Sequence, residues 1–269
     1  MRVVFNIILV AIGLYATGIL FLYSAQEAFI FQPEKLEPDY KFEFASEFEE
    51  INLKTLDGAV LNALHFKADS AKGLILYFHG NAGNLKRWGE IVQYQVNLGF
   101  DVLVMDYREY GKSNGEWSYE NFLTDADLFY QYAMERYNES EIIVYGRSLG
   151  TGFASWVTSQ HRPRMLILES PYTSIVEMGE YFYPLAPAEL LIRYNFSSQE
   201  YLKSADCPIH IFHGDSDRII PFELGERLFK SLEAQTEVQI TVVEGGGHND
   251  LIEFKKFKGA LEKILDRPY

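Results

Sequence analysis

The hydrophobic pattern of this chain begins with one long apolar segment. From Val3 to Tyr23 the sequence has 21 residues without a charge. As an α-helix at about 1.5 Å per residue, this segment would cover roughly 30 Å, which is the thickness of the hydrocarbon core of a bilayer. The alternative is a cleaved signal peptide, whose apolar region is usually about 7–15 residues long and ends in a small-residue site. Because Tyr23 stands at that place in Tyr23-Ser24-Ala25, the pattern favours an uncleaved transmembrane anchor over residues 1–25.

The charges around the anchor predict its orientation. Arg2 and the α-amino group precede the apolar segment, whereas Lys35 and Lys41 follow it at some distance. Positive charge favours the cytoplasmic side of a membrane span. We therefore expect a single-pass membrane protein whose main domain lies on the non-cytoplasmic side. Residues 26–49 mix aromatic residues with prolines, which is typical of a juxtamembrane connector.

Beyond residue 50, short apolar segments alternate with segments of helical spacing. The predicted strands are Glu50–Thr55, Val60–Phe66, Leu74–Phe78, Val102–Met105, Ile142–Tyr145, Met165–Leu168, Ile209–Phe212 and Val238–Val243. The predicted helices are Leu85–Asn97, Tyr119–Tyr137, Leu149–Gln160, Phe222–Leu232 and Asn249–Leu265. Continuous apolar strands separated by helices indicate an α/β fold with a mostly parallel central sheet and helices on both faces. Residues 171–204 interrupt this alternation after the sixth strand, and we expect a short cap-like helical insert within one domain over residues 50–269.

Composition and charge narrow the functional classes. The chain has 269 residues, of which 48% are hydrophobic and 23% charged, as is usual for a folded globular domain. Its net charge of −14 argues against a nucleic-acid partner, because such partners require basic patches. Cys207 is the only cysteine and reads as a small buried apolar residue, so an intrachain disulfide and a cysteine cluster for zinc are excluded. We expect chemistry without a metal or a cofactor.

A serine stands at the sharpest predicted corner of the sheet. The segment Gly146-Arg147-Ser148-Leu149-Gly150 follows the fifth strand and fits the pattern G-x-S-x-G. In such a corner the serine is held in a strained conformation, so strand and helix approach closely and only small residues fit two places before and after it. The free N–H groups at the helix start point toward the reacting centre, and that of Leu149 can receive an oxyanion. The alternative, a dinucleotide-binding turn at Gly150-Thr151-Gly152, lacks its third glycine and lies in the middle of the chain.

A serine needs an adjacent base before it can act as a nucleophile. In this kind of fold the acid and then the histidine follow the serine at later strand ends. Asp217 follows the strand Ile209–Phe212 and His248 follows the last strand, so both arrive in the required order. We predict a catalytic triad of Ser148, His248 and Asp217, with Asp215 as the alternative acid.

The remaining histidines and acids near these loops are interpreted as structural. His210 lies within a strand and is expected to be packed there. His213 is expected to shape the turn that carries Asp217, and Asp250 to cap the last helix. His79 precedes the first loop of the site, where a structural role is favoured over that of a base.

The second half of the oxyanion site is predicted after the strand Leu74–Phe78. There the pair His79-Gly80 leaves backbone N–H groups free, and the N–H of Asn81 is the one that we expect to face the carbonyl oxygen. A neighbouring segment, Gly111-Lys112-Ser113, ends like a phosphate-binding loop. That loop needs a glycine five places before Gly111, where the chain has Asp106, so no nucleotide site is implied.

Taken together, the motifs resemble one known family. They are HGNAGN at 79–84, DYREYGKSNG at 106–115, YGRSLGTG at 145–152, ESPYTS at 169–174, HGDSDRIIP at 213–221 and GGGHND at 245–250. From about Phe29 onward the chain resembles the α/β-hydrolases, in particular the membrane-anchored α/β-hydrolase-domain proteins and their bacterial relatives in the serine aminopeptidase and esterase-like branch. The resemblance implies the same triad and the hydrolysis of esters, thioesters or peptides. Glu109 departs from the family pattern, which has glycine there.

The insert is the predicted substrate-facing segment. Its candidate substrate-binding residues are aromatic or aliphatic, namely Tyr172, Tyr181, Phe182, Leu190 and Tyr194. They are expected to form an apolar wall for an acyl chain, unless they only pack the insert onto the sheet. The predicted function is therefore a serine hydrolase of carboxylic esters or thioesters, including acyl-lipid substrates. The alternatives are a serine peptidase of the aminopeptidase type and a non-catalytic membrane-tethered binding protein.

Overall fold

The chain begins with a long apolar helix. The computed structural model describes residues 1–234 and 237–267; residues 235, 236, 268 and 269 of the predicted domain lie outside the described residues. Helix α1 covers Arg2–Ile30, and with a mean hydropathy of 2.3 over 18 residues it is long and apolar enough to cross a membrane. The helix continues beyond the predicted anchor boundary at residue 25 because its last turns pack on the domain, where Gln26 is buried.

Strands and helices then alternate along the chain. The strands are β1 (Gln32–Pro33), β2 (Phe48–Lys54), β3 (Val60–Phe66), β4 (Leu74–Phe78), β5 (Ala82–Gly83), β6 (Asp101–Met105), β7 (Ile142–Arg147), β8 (Met165–Glu169), β9 (Ile209–Gly214) and β10 (Val238–Val243). The remaining helices are α2 (Leu85–Ile91), α3 (Gln93–Asn97), α4 (Tyr119–Met134), α5 (Gly150–Gln160), α6 (Ile175–Phe182), α7 (Ala188–Leu191), α8 (Ser198–Tyr201), α9 (Phe222–Leu232) and α10 (Lys255–Leu265).

The main sheet has the order β10-β9-β8-β7-β4-β6-β3-β2. Neighbouring strands are parallel from β10 to β6, whereas β3 is antiparallel to both β6 and β2. This arrangement confirms the predicted α/β fold with a mostly parallel sheet. A second, two-stranded sheet pairs β1 with β5 and so joins the chain that follows α1 to the loop after β4.

The core lies on both faces of the main sheet because successive side chains of a strand point to opposite sides. In β4, Leu74, Leu76 and Phe78 pack in one apolar cluster, and Ile75 and Tyr77 in the other. The first cluster includes residues of α4 and α5, and the second includes residues of α2 and α10. Helices therefore cover both faces, and the loops at the carboxyl ends of the parallel strands remain free to form a site.

Several predicted helix boundaries differ from the structure. The segment predicted as one helix before β6 forms α2 and α3, separated at Val92, where ψ is −6°. Helix α4 ends at Met134 rather than at residue 137. The prediction that Asp250 caps the last helix is wrong: its carboxylate accepts the Gly247 N–H at 2.7 Å, and α10 begins only at Lys255, after a 3₁₀ turn.

The insert follows β8, the sixth strand of the main sheet, as predicted. It contains α6, α7, α8 and a 3₁₀ turn at Leu202–Ser204. It packs beside the end of α1, where the Gln26 side chain donates to the Leu191 carbonyl at 3.0 Å and accepts the Arg193 N–H at 2.8 Å. The insert and the first helix thus form one side of the molecule together.

Candidate active site

Ser148 occupies a tight corner between β7 and α5. Its φ of 53° is in the left-handed region, which costs free energy for a residue with a side chain. A Cβ on Gly146 would stand 2.6 Å from the Gly150 carbonyl oxygen, and one on Gly150 would stand 2.0 Å from that of Phe78. The two glycines are therefore required for the strand and the helix to meet, and the corner holds the serine hydroxyl at the sheet edge.

The structure brings the three predicted triad residues together. His248 Nε2 lies 2.9 Å from Ser148 Oγ, and His248 Nδ1 lies 2.7 Å from Asp217 Oδ2. Since an ionised carboxylate only accepts, Nδ1 carries the proton and Nε2 is left to accept from the serine hydroxyl. The acid comes from the loop after β9 and the imidazole from the loop after β10, whereas the serine follows β7. One imidazole therefore contacts both a hydroxyl and a carboxylate.

The Asp217 carboxyl is buried and strongly bound in its ionised form. Its Oδ1 accepts the N–H groups of Ile219 and Ile220, each at 2.9 Å. Burial favours the neutral acid, but the imidazoles of His213 and His248 and these N–H groups outweigh it and hold the pKa of Asp217 well below its usual range. The Asp217 carboxylate is therefore ionised where it accepts from His248.

Apart from Asp250, the other acids and histidines near the triad lie where structural rather than catalytic roles were predicted from the sequence. Asp215 is exposed and accepts the Gly245 N–H at 2.8 Å, away from the imidazole. His213 is buried, and its Nε2 lies 2.9 Å from the Ile220 carbonyl in the turn that carries the acid. His210 is buried in β9, next to the edge strand β10, with its Nε2 2.9 Å from Thr241 Oγ1.

Two backbone N–H groups beside Ser148 are candidates for an oxyanion hole. Asn81 and Leu149 both line the cavity that contains the serine. Within residues 1–234 and 237–267, neither N–H donates to a protein acceptor. The Gly80 carbonyl, which shares a peptide plane with the Asn81 N–H, lies 2.6 Å from His79 Nδ1. On the following peptide, the Asn81 carbonyl accepts the Tyr110 hydroxyl at 2.7 Å and the Gln32 N–H at 2.9 Å. The donors are held in place before a substrate arrives.

His79 has the structural role expected of it. Its ring is buried between Trp88, with centroids 5.2 Å apart, and Tyr107, at 4.3 Å. Its Nε2 lies 3.4 Å from Asp106 Oδ1, and the Tyr107 hydroxyl donates to its carbonyl at 2.7 Å. Burial raises the pKa of Asp106, and His79 opposes that shift. These contacts shape the loop that presents the Asn81 N–H.

An apolar cavity of about 310 Å³ extends from Ser148. Of the predicted substrate-binding residues, Tyr172 and Phe182 line it. Tyr181 and Leu190 do not: they lie on the outer face of the insert, where 50% and 83% of their surface is exposed. Tyr194 is instead buried in an aromatic cluster, 5.1 Å from the ring of Phe31, and packs the insert onto the core. Both of the predicted roles, lining and packing, are thus found, in different residues.

Two groups of residues at the site were not predicted from the sequence. The first is the pair Arg147 and Glu169, buried 3.1 Å apart, in which Arg147 also donates to the His248 carbonyl at 3.3 Å. A charged residue at the end of an apolar strand, as Glu169 is, could have indicated a buried partner. The second is a face of α1, whose residues Leu22, Gln26, Phe29 and Ile30 line the cavity.

Comparisons with known proteins give consistent results. A family model described as serine aminopeptidase, S33, matches residues 69–197. An uncharacterized protein of Mycobacterium tuberculosis is 30% identical over 261 residues, which cover 94% of this chain and 92% of that protein. Lysophosphatidylserine lipase ABHD12 of Danio rerio is 32% identical over 192 residues, which cover 62% of this chain and 49% of the lipase. The match therefore spans about half of the length of that relative.

Solved structures share the fold at lower sequence identity. The esterase Pf2001 of Pyrococcus furiosus superimposes with a TM-score of 0.69 at 19% identity, over 88% of this chain and 99% of the esterase. A superposition that covers nearly the whole esterase shows that the two proteins share the fold.

Proposed function

We propose that Ser148, His248 and Asp217 of this chain cleave carboxylic ester or thioester bonds of acyl-lipid substrates at a membrane. The chain belongs to the α/β-hydrolase family of serine hydrolases and acts on esters. The relatives support the class of reaction, since they include a protein named as a lipase and a structure named as an esterase. The geometry of the three side chains supports the assignment of roles.

The proposed reaction is an acyl transfer to water. His248 Nε2 takes the proton from Ser148 Oγ as the oxygen attacks the carbonyl carbon, and the Asn81 and Leu149 N–H groups bind the oxyanion. As the intermediate collapses, the bond to the alcohol or thiol breaks and the leaving group departs with the proton from His248. Water then attacks the acyl-enzyme with the same imidazole as base, which releases the acid and restores the serine. Asp217 holds the tautomer and stabilises the imidazolium.

One observation carries this proposal. The two nitrogens of His248 lie 2.9 Å from a hydroxyl and 2.7 Å from a carboxylate that is itself held by two N–H groups. A general base must be within hydrogen-bond distance of its proton and in the correct tautomer, and both conditions hold here. The three residues stand far apart in the sequence, so packing of neighbours along the chain does not account for their meeting.

The cavity supports an acyl substrate. Its walls are apolar side chains from α1, from the insert and from the loop after Asp217. Apolar walls with few polar groups favour a hydrocarbon chain over a charged ligand. Measuring hydrolysis of esters from short to long acyl length tests the assignment; a rate that does not depend on acyl length would argue against it.

We also propose how the chain is divided into segments and how it lies relative to the membrane. Residues 1–25 are proposed as a single-pass anchor, residues 26–49 as a connector and residues 50–269 as the catalytic domain on the non-cytoplasmic side. The apolar helix α1 and the positive charge at its start support this arrangement. Protease digestion of the domain in intact cells and in inverted vesicles tests the orientation.

A serine peptidase of the aminopeptidase type is the second candidate, favoured by the description of the matching family model. Such an enzyme needs a carboxylate to bind the peptide amine. Among the described residues, the cavity wall includes no aspartate or glutamate. We therefore place ester hydrolysis first, and assays of aminoacyl amides beside simple esters separate the two.

A further inference from the structure

The outer face of the insert is apolar and exposed. We call residues 181–192 the insert tip; its large exposed side chains are Tyr181, Phe182, Tyr183, Leu185 and Leu190, with exposed fractions between 46% and 83%. Glu189 is its one charged residue. Several large apolar side chains exposed within one short segment mark a contact with a membrane or with another protein.

The insert tip is attached along the apolar part of α1. The Tyr15 hydroxyl, in the middle of the predicted membrane span, donates to the Leu185 carbonyl at 2.8 Å. At the other end of the contact, Gln26 donates to the Leu191 carbonyl at 3.0 Å. The insert tip and this part of α1 therefore lie in the same environment, lipid or water.

Charged and aromatic residues mark the level at which α1 leaves the bilayer. Glu27, the first charged residue after the span, pairs with Arg193 at 3.1 Å, and the Arg193 guanidinium lies 5.4 Å from the ring of Tyr23. Arginine and tyrosine are enriched at membrane interfaces. Tyr15 precedes Tyr23 by eight residues, so at 1.5 Å per residue the Leu185 contact lies about 12 Å deeper, within one leaflet.

The backbone of the insert tip suits a hydrocarbon environment, where each unsatisfied polar group costs several kcal/mol. Pro184 and Pro187 have no N–H. The N–H groups of Tyr183, Ala186 and Ala188 donate to carbonyls within the insert at 2.8–2.9 Å, and the Leu185 carbonyl accepts the tyrosine hydroxyl of α1. Between residues 183 and 188, the Leu185 N–H is the one backbone donor for which the described residues provide no acceptor.

The cavity lies between α1 and the insert tip. Three of its lining residues, Phe29, Phe182 and Tyr183, are also 46–51% exposed and so form its rim, together with Ile219. On the basis of the function proposed above, we propose that the insert tip is embedded in the same leaflet as α1 and that the acyl chain enters the cavity from the bilayer between them. The anchor helix is then a wall of the acyl site, and Leu22 is a specificity-determining residue.

The depth of the insert tip can be measured directly. Cys207 is the only cysteine, so Cys207→Ala provides a background in which single cysteines can be introduced. The native thiol is buried, and burial raises its pKa to about 12. In that background, Leu185→Cys is labelled with an environment-sensitive fluorophore and reconstituted in phosphatidylcholine vesicles with acyl-chain nitroxide lipids. The matched control is Leu56→Cys, a fully exposed site at the turn between β2 and β3.

We expect quenching of the label at residue 185 and none at residue 56. Equal quenching at the two positions would overturn the membrane-embedded insert tip. A label at residue 185 that is shielded from both lipid and aqueous quenchers would also overturn it and would indicate a protein partner on this face.

The specificity role is tested with a larger side chain on the cavity wall. Leu22→Trp should lower kcat/KM for a palmitoyl ester by about tenfold or more relative to a butanoyl ester. Leu9→Trp, on an exposed position of the same helix, is the control and should leave the ratio unchanged. An unchanged ratio in Leu22→Trp, with normal fluorophosphonate labelling of Ser148, would overturn this inference and leave the proposed function standing. Absence of labelling and of hydrolysis in the wild-type protein would instead contradict the function itself.

Discussion

Arg147 Nη2 lies 3.3 Å from the carbonyl oxygen of His248, so the residue before the serine also holds the loop that carries the imidazole. Arg147 is buried against Glu169 and stacks over Trp88 at 5.5 Å. Its position within the serine corner couples two loops that are 100 residues apart in sequence, from Ser148 to His248. We infer that Arg147 is a positioning residue.

Removing this contact should affect turnover more than binding. We expect Arg147→Gln to lower kcat by about 10–100-fold with a small change in KM, because a misplacement of about 1 Å at the base has an effect of that size. Arg147→Lys, which keeps the charge, should restore part of the loss. The control is Arg162→Gln, at an exposed ion pair. A rise in KM at constant kcat would show that Arg147 acts on substrate binding instead.

The acid of the triad can be distinguished from its neighbour by matched substitutions. Asp217→Asn should lower kcat by about 10⁴-fold, since an amide favours the wrong tautomer of the histidine. Asp215→Asn should retain most of the activity because the Asp215 carboxylate accepts from the Ser216 hydroxyl and the Gly245 N–H rather than from His248. Steady-state kinetics of the two variants are the measurement. The assignment fails if Asp215→Asn is the more damaging change.

The depressed pKa of Asp217 predicts a loss of stability in acid. The folded protein holds this carboxylate ionised well below the unfolded pKa of about 3.9, so its contribution is present above that pH and is lost as the pH falls through and below it. We expect the midpoint of thermal unfolding to fall from pH 5 to pH 3 more steeply in the wild type than in Asp217→Asn. Parallel slopes would show that the hydrogen bonds of Asp217 do not stabilise its charged form.

A buried ion pair should contribute more to the free energy of unfolding than an exposed one. Arg108 bonds to Asp125 at 2.6 Å, and both side chains are almost completely buried. We expect Asp125→Asn to lower the free energy of unfolding by about 3 kcal/mol, because it leaves a buried guanidinium with one partner fewer. The control Asp266→Asn, which removes the exposed pair with Lys72, should cost at most about 1 kcal/mol. Denaturant unfolding in detergent compares them.

The fold and the triad could be predicted because each follows from local rules. Apolar strands alternate with helices, and Ser148, Asp217 and His248 stand directly after strands whose ends meet at one edge of a parallel sheet. Small residues at 146 and 150 are required by contact distances that no larger side chain satisfies. At Glu109, where the family pattern has glycine, the backbone still adopts a φ of 68°, and its carboxylate pairs with Lys35 at 2.9 Å.

The contact between the anchor helix and the insert could not be predicted from the sequence. Apolar spacing does not distinguish a residue that faces lipid, as Leu190 does in our proposal, from one that faces a cavity, as Phe182 does. Which of the two applies depends on how the insert lies on α1, and that is fixed by polar contacts such as those of Gln26. These contacts join positions more than 160 residues apart, so no local pattern reveals them.

The most direct test of the central claim is labelling with a fluorophosphonate followed by peptide mass spectrometry to locate the adduct. Such probes react with a serine whose hydroxyl is activated by an adjacent base. We expect the adduct on Ser148 in the wild type and in the exposed-serine control Ser216→Ala. We expect no adduct in Ser148→Ala or in His248→Ala, and circular dichroism should show that all four proteins are folded. An adduct on another serine, or undiminished labelling in His248→Ala, would contradict the account.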